Sequence, residues 1–151
     1  MNSETRKMAV MATRHCLIGC GIGEILGMVI STAFDFHNAT SVILSILLAF
    51  LFGYSLTYFP LIKSLGKKKA ARTAFASDSM SITSMEIMDN LVIVLIPGAL
   101  NATLSQSLFW LSLFLSLVAA FIVTVPVNYW LISRGLGHAV VHGGHGQVHH
   151  H

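Results

Sequence analysis

Four long apolar stretches make up most of this 151-residue chain, and they restrict its fold more than any other feature. They cover about Met8–Phe34, Ser41–Ile62, Ala70–Ile96 and Leu108–Ile132. A helix needs about 20 mainly apolar residues to cross the hydrocarbon core of a bilayer. The hydrophobic share of 54% and the charged share of 10% argue against an ordinary soluble domain. We therefore predict an all-α fold, an integral membrane four-helix bundle.

The four stretches leave little chain for a second domain. We therefore predict one transmembrane domain over residues 1–136 and a flexible cytoplasmic tail over residues 137–151. That tail holds six of the eight histidines: His138, His142, His145, His149, His150 and His151. A His-rich tract of this kind is able to bind metal ions. An ordinary flexible tail, or the remnant of a purification tag in its last three residues, explains it equally well.

The basic residues predict how the chain lies in the membrane. All nine Lys and Arg flank helix ends on one side of the predicted bundle: Arg6, Lys7, Arg14, Lys63, Lys67, Lys68, Lys69, Arg72 and Arg134. The opposite loops, residues 35–40 and 97–107, contain neither. Because Lys and Arg accumulate on the cytoplasmic side, we predict a multi-pass protein of the plasma (inner) membrane with both termini in the cytoplasm. The basic loop is expected to contact anionic lipids, and no nucleic-acid partner is predicted.

The first apolar stretch does not look like a secretory signal. It is longer than the apolar core of a signal peptide, and no convincing small-residue cleavage site follows it. We expect it to remain as the first helix.

Acidic residues inside the apolar stretches are the main clue to function. Glu24 lies in the first stretch, and Asp78, Glu86 and Asp89 lie in the third. A central Asp costs roughly 2.5–3.5 kcal/mol on membrane insertion, whereas a central Leu or Ile gains only about 0.5 kcal/mol. These groups must therefore face other helices, water or a bound cation, or carry protons. Ionisable residues within membranes usually mark a functional site.

The first stretch combines small and reactive residues on one side. Gly19, Gly23 and Gly27 recur every four residues and form a groove that lets another helix approach closely. Beside this groove lie His15, Cys16, Cys20 and Glu24. Cys16 and Cys20, one helical turn apart, would not readily form an unstrained disulfide. We expect the glycine face to pack on the third helix.

That packing would create a column of polar and sulfur-containing side chains between the first and third helices. The candidate metal ligands in this column are His15, Cys16, Cys20, Glu24, Asp78, Met85, Glu86 and Asp89. Cys and Met favour Cu(I), and carboxylate and His broaden the choice to other metals such as zinc. Asn90 and Asn128 would extend the polar path. The simpler alternative is that these groups only join the helices through buried hydrogen bonds.

The two halves of the chain show a faint repeat. Glu24-Ile25 and Glu86-Ile87 each lie near the middle of the first helix of a half. Each following helix ends with a proline, Pro60 or Pro126, and then a Leu-Ile pair. Two helical hairpins related by an axis along the membrane normal would fit this pattern, as in parallel-repeat transporters.

Several spaced segments resemble one known family. They are His15-Cys16…Gly19-Cys20…Gly23-Glu24…Gly27, Ser81-Ile82…Met85-Glu86…Asp89-Asn90, Pro97-Gly98-Ala99, Phe109-Trp110 and Pro126-Val127-Asn128…Leu131-Ile132…Arg134-Gly135…Gly137-His138. With these segments the chain is similar to the bacterial membrane-protein family catalogued as domain of unknown function 4396. The resemblance extends from His15 to His138. It implies a small bacterial four-helix membrane protein and brings no activity or catalytic residues.

The function most consistent with these features is a small membrane transport protein or channel subunit that passes a cation between the first and third helices. A transition metal, copper or zinc, is the favoured ion. We expect a homo-oligomer because four helices form a thin wall around a path. One alternative is a proton-coupled exporter similar to the small multidrug resistance family, which has an essential Glu in the first of four helices. The one-sided basic residues and the extra acids of the third stretch depart from that family.

Two further alternatives are a membrane scaffold protein and an enzyme of thiol redox chemistry. A scaffold would co-purify with a stoichiometric partner and transport nothing by itself. The redox enzyme is disfavoured because Cys16 and Cys20 do not form a Cys-x-x-Cys pair and no loop carries a cysteine. We predict that the protein is not an enzyme.

Overall fold

A computed structural model describes residues 3–135 and shows four long helices packed as a bundle. The helices are α1 (Ser3–Ala33), α2 (Asn38–Leu65), α3 (Lys67–Leu95) and α4 (Ser107–Ser133), with a short 3-10 helix at Ala99–Asn101. No strand occurs between residues 3 and 135. The prediction of an all-α four-helix bundle is confirmed. The predicted His-rich tail, residues 137–151, lies outside the described residues.

The ends of α2 follow from local chemistry. His37 precedes the helix in an extended conformation, and its Nδ1 accepts a hydrogen bond of 3.4 Å from the Ala39 N–H. At the other end Gly66 adopts a φ of 75°, which glycine tolerates because it has no Cβ. Gly66 is the single residue between α2 and α3. The basic segment expected to be a loop therefore belongs almost entirely to the two helices.

Three of the four helices, α1, α2 and α4, are long and apolar enough to cross a membrane. The chain is thus a helical membrane protein. Helix α3 differs from the others because it carries more charged groups. Its buried acids lie on one face, which points into the bundle. The buried residues of that face include Asp78, Ile82, Met85, Glu86 and Asp89.

The helices form a ring in chain order. The largest contacts join α1 to α2 and α3 to α4, and smaller ones join α1 to α4 and α2 to α3. Helices α1 and α3 face each other across the centre with little direct contact. Exchanging α1 with α3 and α2 with α4 leaves this pattern unchanged, which is compatible with the predicted repeat of two hairpins.

The glycine face of α1 packs on α2, so the prediction that it packs on α3 was wrong. A Cβ added to Gly19 would lie 2.8 Å from the Cα of Gly53, and one added to Gly23 would overlap the backbone of Ala49. Gly27 meets Ser45 in the same way. The physical reason is that Ser45, Ala49 and Gly53 of α2 are also small and also recur every four residues. The inward face of α3 carries Ile82 and Met85 and cannot approach as closely.

Candidate functional site

The bundle contains an outer cavity of about 230 Å³ at the end that carries the α1–α2 and α3–α4 connections. Its mouth lies among residues of those connections: Asp35, Phe36, Asn38, Leu100, Asn101 and Thr103. Asn38 and Asn101 join the two connections through a 2.6 Å side-chain hydrogen bond. Its walls are largely apolar and include Met28, Val42, Ile93, Phe109 and Leu113. Glu24, Glu86 and Asp89 also line this cavity, on helices α1 and α3.

Glu24, Glu86 and Asp89 together form a carboxyl cluster. Their exposed fractions are 9%, 4% and 1%, so all three are buried. Glu24 of α1 lies close enough to Glu86 and Asp89 of α3 for their charges to interact. Ser116 of α4 interacts with Asp89. The structure therefore brings the acids of the first and third helices together at one place.

The carboxyl cluster is short of hydrogen-bond donors. Both side-chain oxygens of Glu24, both of Glu86 and Oδ1 of Asp89 are buried without a hydrogen-bond partner in the described part of the chain. The Cys20 thiol lies beside Glu86, and Asp89 lies beside Glu24, but neither completes a well-formed hydrogen bond to these oxygens. Burying acidic oxygens without partners is unfavourable.

Among residues 3–135, no Lys or Arg forms an ion pair with the cluster. The nearest Lys or Arg before Glu24 is Arg14, and the nearest before Glu86 is Arg72. At 1.5 Å per helical residue they lie about 15 Å and about 21 Å away along their helices. Three carboxylates cannot remain charged together in such a site without compensation. Protons or a bound cation must balance them.

A second, inner cavity lies towards the opposite end of the bundle and has a volume of about 10 Å³. This is close to the smallest space that holds one water molecule. His15, Cys16, Asp78, Ser81 and Asn128 are among its lining residues.

At the inner end of the bundle, the Asn128 side chain of α4 links its helix to α1 and α3. Its Nδ2 donates to Thr13 Oγ1 at 2.8 Å and to Ser81 Oγ at 3.0 Å. Nearby, the Ser77 hydroxyl donates to the Asp78 carboxyl at 2.7 Å. This end is therefore held by direct hydrogen bonds between side chains, unlike the carboxyl cluster.

A buried cluster of small and sulfur-containing residues separates the two cavities. Its members are Cys16, Cys20, Ala49, Ile82, Met85 and Ala120. Both cysteines are free, and their Sγ atoms lie 3.9 Å apart. Cys16 lines the inner cavity, whereas Cys20 lies beside Glu86 of the outer cavity.

The eight predicted metal ligands do not form one coordination sphere. The structure places His15, Cys16 and Asp78 at the inner cavity, Cys20 and Met85 in the separating cluster, and Glu24, Glu86 and Asp89 at the outer cavity. Within residues 3–135, no group of three or more His, Cys, Asp or Glu is arranged to hold a metal ion. The reason is distance, since the 11 residues from Asp78 to Asp89 span about 16 Å of helix.

The two predicted polar-path residues lie at different cavities. Asn90 lines the outer cavity, and its Nδ2 donates to the backbone oxygen of Glu86 at 2.9 Å. Asn128 lines the inner cavity.

Asn128, predicted from the sequence to lie on the polar path, belongs to a polar stripe on α4 whose other members were overlooked. Five small or polar residues recur every four positions and are at most 4% exposed: Ser112, Ser116, Ala120, Thr124 and Asn128. This spacing, in a helix that is otherwise strongly apolar, was the signal that could have revealed it. Ser31 was also overlooked. Its buried Oγ has no hydrogen-bond partner in the described part, and the residue lines the outer cavity.

Fold and site together define a class, that of small helical membrane proteins with a carboxyl-lined cavity inside the bundle. More particularly, the chain belongs to the family described as domain of unknown function (DUF4396), whose model matches residues 5–137. The matched region includes both cavities, so the resemblance noted from the sequence is confirmed. No curated protein and no solved structure matches the chain.

Proposed function

We propose that this protein is a small membrane transport protein or channel subunit that passes a cation between α1 and α3. The observation that carries this proposal is the outer cavity lined by Glu24, Glu86 and Asp89, where five of the six carboxyl oxygens are buried without a hydrogen-bond partner among residues 3–135. Such a cluster attracts a cation or protons, and charged groups at this depth in a membrane usually line ion pathways. Because all nine Lys and Arg lie at the opposite end of the bundle, we place the cavity mouth outside the cell and both termini in the cytoplasm.

The size of the outer cavity favours a small ion over a drug-sized molecule. Its volume of about 230 Å³ is below the roughly 300–1,000 Å³ of pockets for drug-sized ligands. Since a water molecule occupies about 30 Å³ of liquid, the cavity has room for an ion and part of its hydration shell. This argues for cation transport and against the multidrug-exporter alternative.

Passage to the inner side requires a second conformation. The buried side chains of Ile82, Met85 and Cys20 stand between the two cavities, each 0% exposed. A shift of the α1–α2 hairpin against the α3–α4 hairpin would exchange access between the two ends, as parallel-repeat transporters do. The carboxyl cluster would bind the cation in one state and protons in the other, so proton coupling is part of the same proposal.

Uptake measurements test the proposal. Cells producing the Glu24→Gln or Glu86→Gln variant should take up the transported cation at least about tenfold more slowly than wild type, because each change removes one buried charge that binds it. The matched control is Glu4→Gln, whose side chain is 73% exposed at the start of α1 and should leave uptake unchanged. A panel of copper, zinc, manganese and alkali ions identifies the ion.

The same measurement in vesicles containing the purified protein separates transport from a scaffold role. Wild-type flux from both variants, at equal amounts of protein in the membrane, would remove the proposal. A protein that moves no ion of the panel, and that co-purifies with a stoichiometric partner, would support the scaffold alternative instead.

A further inference from the structure

The two cysteines lie between the cavities, and neither has a chemical role in the transport proposal. Cys16 lines the inner cavity, Cys20 lies beside Glu86 of the outer cavity, and their sulfur atoms are 3.9 Å apart. Met85 of α3 belongs to the same buried cluster and is 0% exposed. Two thiols of α1 and the thioether-bearing Met85 of α3 thus belong to one buried cluster between the two cavities.

We propose that Cys16, Cys20 and Met85 form a binding site for a soft monovalent metal ion, Cu(I). Thiolate and thioether ligands select Cu(I), whereas carboxylates suit harder ions. The inference deepens the proposed function, on which it rests for its role in transport, because it names the class of cation. The site also favours Cu(I) over zinc. Zinc takes four protein ligands in structural sites and three in catalytic ones, and the described residues contain no group of three or more His, Cys, Asp or Glu arranged to hold a metal ion.

The sulfur spacing fits three-coordinate binding. Taking about 2.3 Å as the length of a metal–thiolate bond, two sulfur atoms at 3.9 Å subtend an angle of about 115° at the metal. That angle lies between the tetrahedral and trigonal values, so both sulfur atoms can bind one ion, and Met85 of the same cluster is the third ligand of the proposed site.

Binding at this site exchanges protons for the metal. As each sulfur forms a bond to the ion, Cys20 gives its proton to a carboxylate of the carboxyl cluster beside it and Cys16 gives its proton to water at the inner cavity, so two protons leave the thiols for one Cu(I) that enters. No electron is transferred, because the ion arrives and leaves as Cu(I). The carboxyl cluster would collect the ion from the outer cavity, and the thiol pair would pass it to the inner cavity beside Cys16.

Cu(I) titration of the full-length protein against a chromogenic Cu(I) chelator tests the site under anaerobic conditions. Wild type should bind one equivalent more than Cys16→Ser and one more than Cys20→Ser. The His-rich tail is present in every variant, so its own binding cancels in the difference. Met85→Leu should weaken binding of that equivalent about tenfold or more. The control Met80→Leu, at a residue 53% exposed on the other side of α3, should bind as wild type does.

X-ray absorption by wild type carrying one equivalent of Cu(I) gives a second test that needs no variant. The account expects sulfur ligands only. A first shell of nitrogen or oxygen would overturn the site, and so would equal stoichiometry in wild type and both cysteine variants.

The outcomes for this site and for the proposed function can be told apart. If Glu24→Gln and Glu86→Gln abolish flux of another cation while no Cu(I) binds the thiols, the proposed function stands and this inference fails. If Cu(I) binds the sulfur site while both glutamine variants move cations at the wild-type rate, the site stands and the proposed function fails.

Discussion

Glu86→Gln should make the bundle more stable even though it is expected to abolish cation uptake. Glu86 is only 4% exposed, both of its carboxyl oxygens lack a partner within residues 3–135, and two further acids, Asp89 and Glu24, lie beside it. A neutral amide of the same shape removes the need to neutralise one of the three acids. Replacing buried ion pairs by apolar residues of similar volume is often neutral or stabilising by about 1–4 kcal/mol, because charges no longer have to be buried. The new amide is also short of partners, so we expect about 1–2 kcal/mol.

Chemical or thermal unfolding of the purified protein in lipid discs would measure this gain. The comparison variant is Asn128→Leu, which removes hydrogen bonds from α4 to Thr13 of α1 and Ser81 of α3. Hydrogen bonds between membrane helices contribute about 0.6 kcal/mol on average and up to about 1.7 kcal/mol, so this variant should be less stable than wild type. A gain in stability for Glu86→Gln together with a loss for Asn128→Leu would indicate that the acids form a binding site rather than packing contacts. A loss of stability for Glu86→Gln as large as that for Asn128→Leu would mean that the acids serve to hold the helices together.

Gly23→Ala should lower the free energy of unfolding substantially, although it adds only one methyl group. A Cβ at Gly23 would overlap the backbone of Ala49, so α1 and α2 would have to move apart along the line where they pack most closely. Backbone atoms cannot yield as the end of a flexible side chain can. Overpacking of this kind costs about 1–3 kcal/mol.

Gly21→Ala is the matched control, because it makes the same change in the same helix two residues away. A Cβ at Gly21 would lie 3.7 Å from Leu117 Cδ1, an ordinary contact distance. Replacing a helical Gly with Ala usually stabilises a helix by roughly 0.5–1 kcal/mol. The two alanine variants should therefore differ by about 2 kcal/mol or more in unfolding free energy. Equal stability of the two would contradict the assigned contact between α1 and α2.

The sequence was sufficient to predict the helices and the inward face of α3. Apolar length defines membrane helices, and Asp78, Glu86 and Asp89 share one face because residues three, eight and eleven positions apart lie on the same side of a helix. The cost of exposing those acids to lipid then leaves the bundle interior as their place. The sequence also predicted that Glu24 would meet Glu86 and Asp89, but from a packing of the glycine face on α3 that was wrong.

The partner of the glycine face could not be predicted in the same way. A groove of small residues accepts any helix with a complementary surface, and both α2 and α3 carry small residues. The choice depends on Gly53 and Ala49 matching Gly19 and Gly23 in register, which only the packed structure reveals. The division of the predicted metal ligands between two cavities also depends on packing, since it is set by where Ile82 and Met85 fill the centre.

Cross-linking of Glu24→Cys with Asp89→Cys, in a chain whose native cysteines are serines, would test most directly whether the acids of α1 and α3 meet at one cavity. A short thiol-specific cross-linker and mass spectrometry of the product would report the link within a single chain. We predict efficient cross-linking of this pair and none for Glu24→Cys with Ile87→Cys, since Ile87 is 62% exposed on the opposite face of α3. Failure of the first pair to react, or equal reaction of both pairs, would contradict the account.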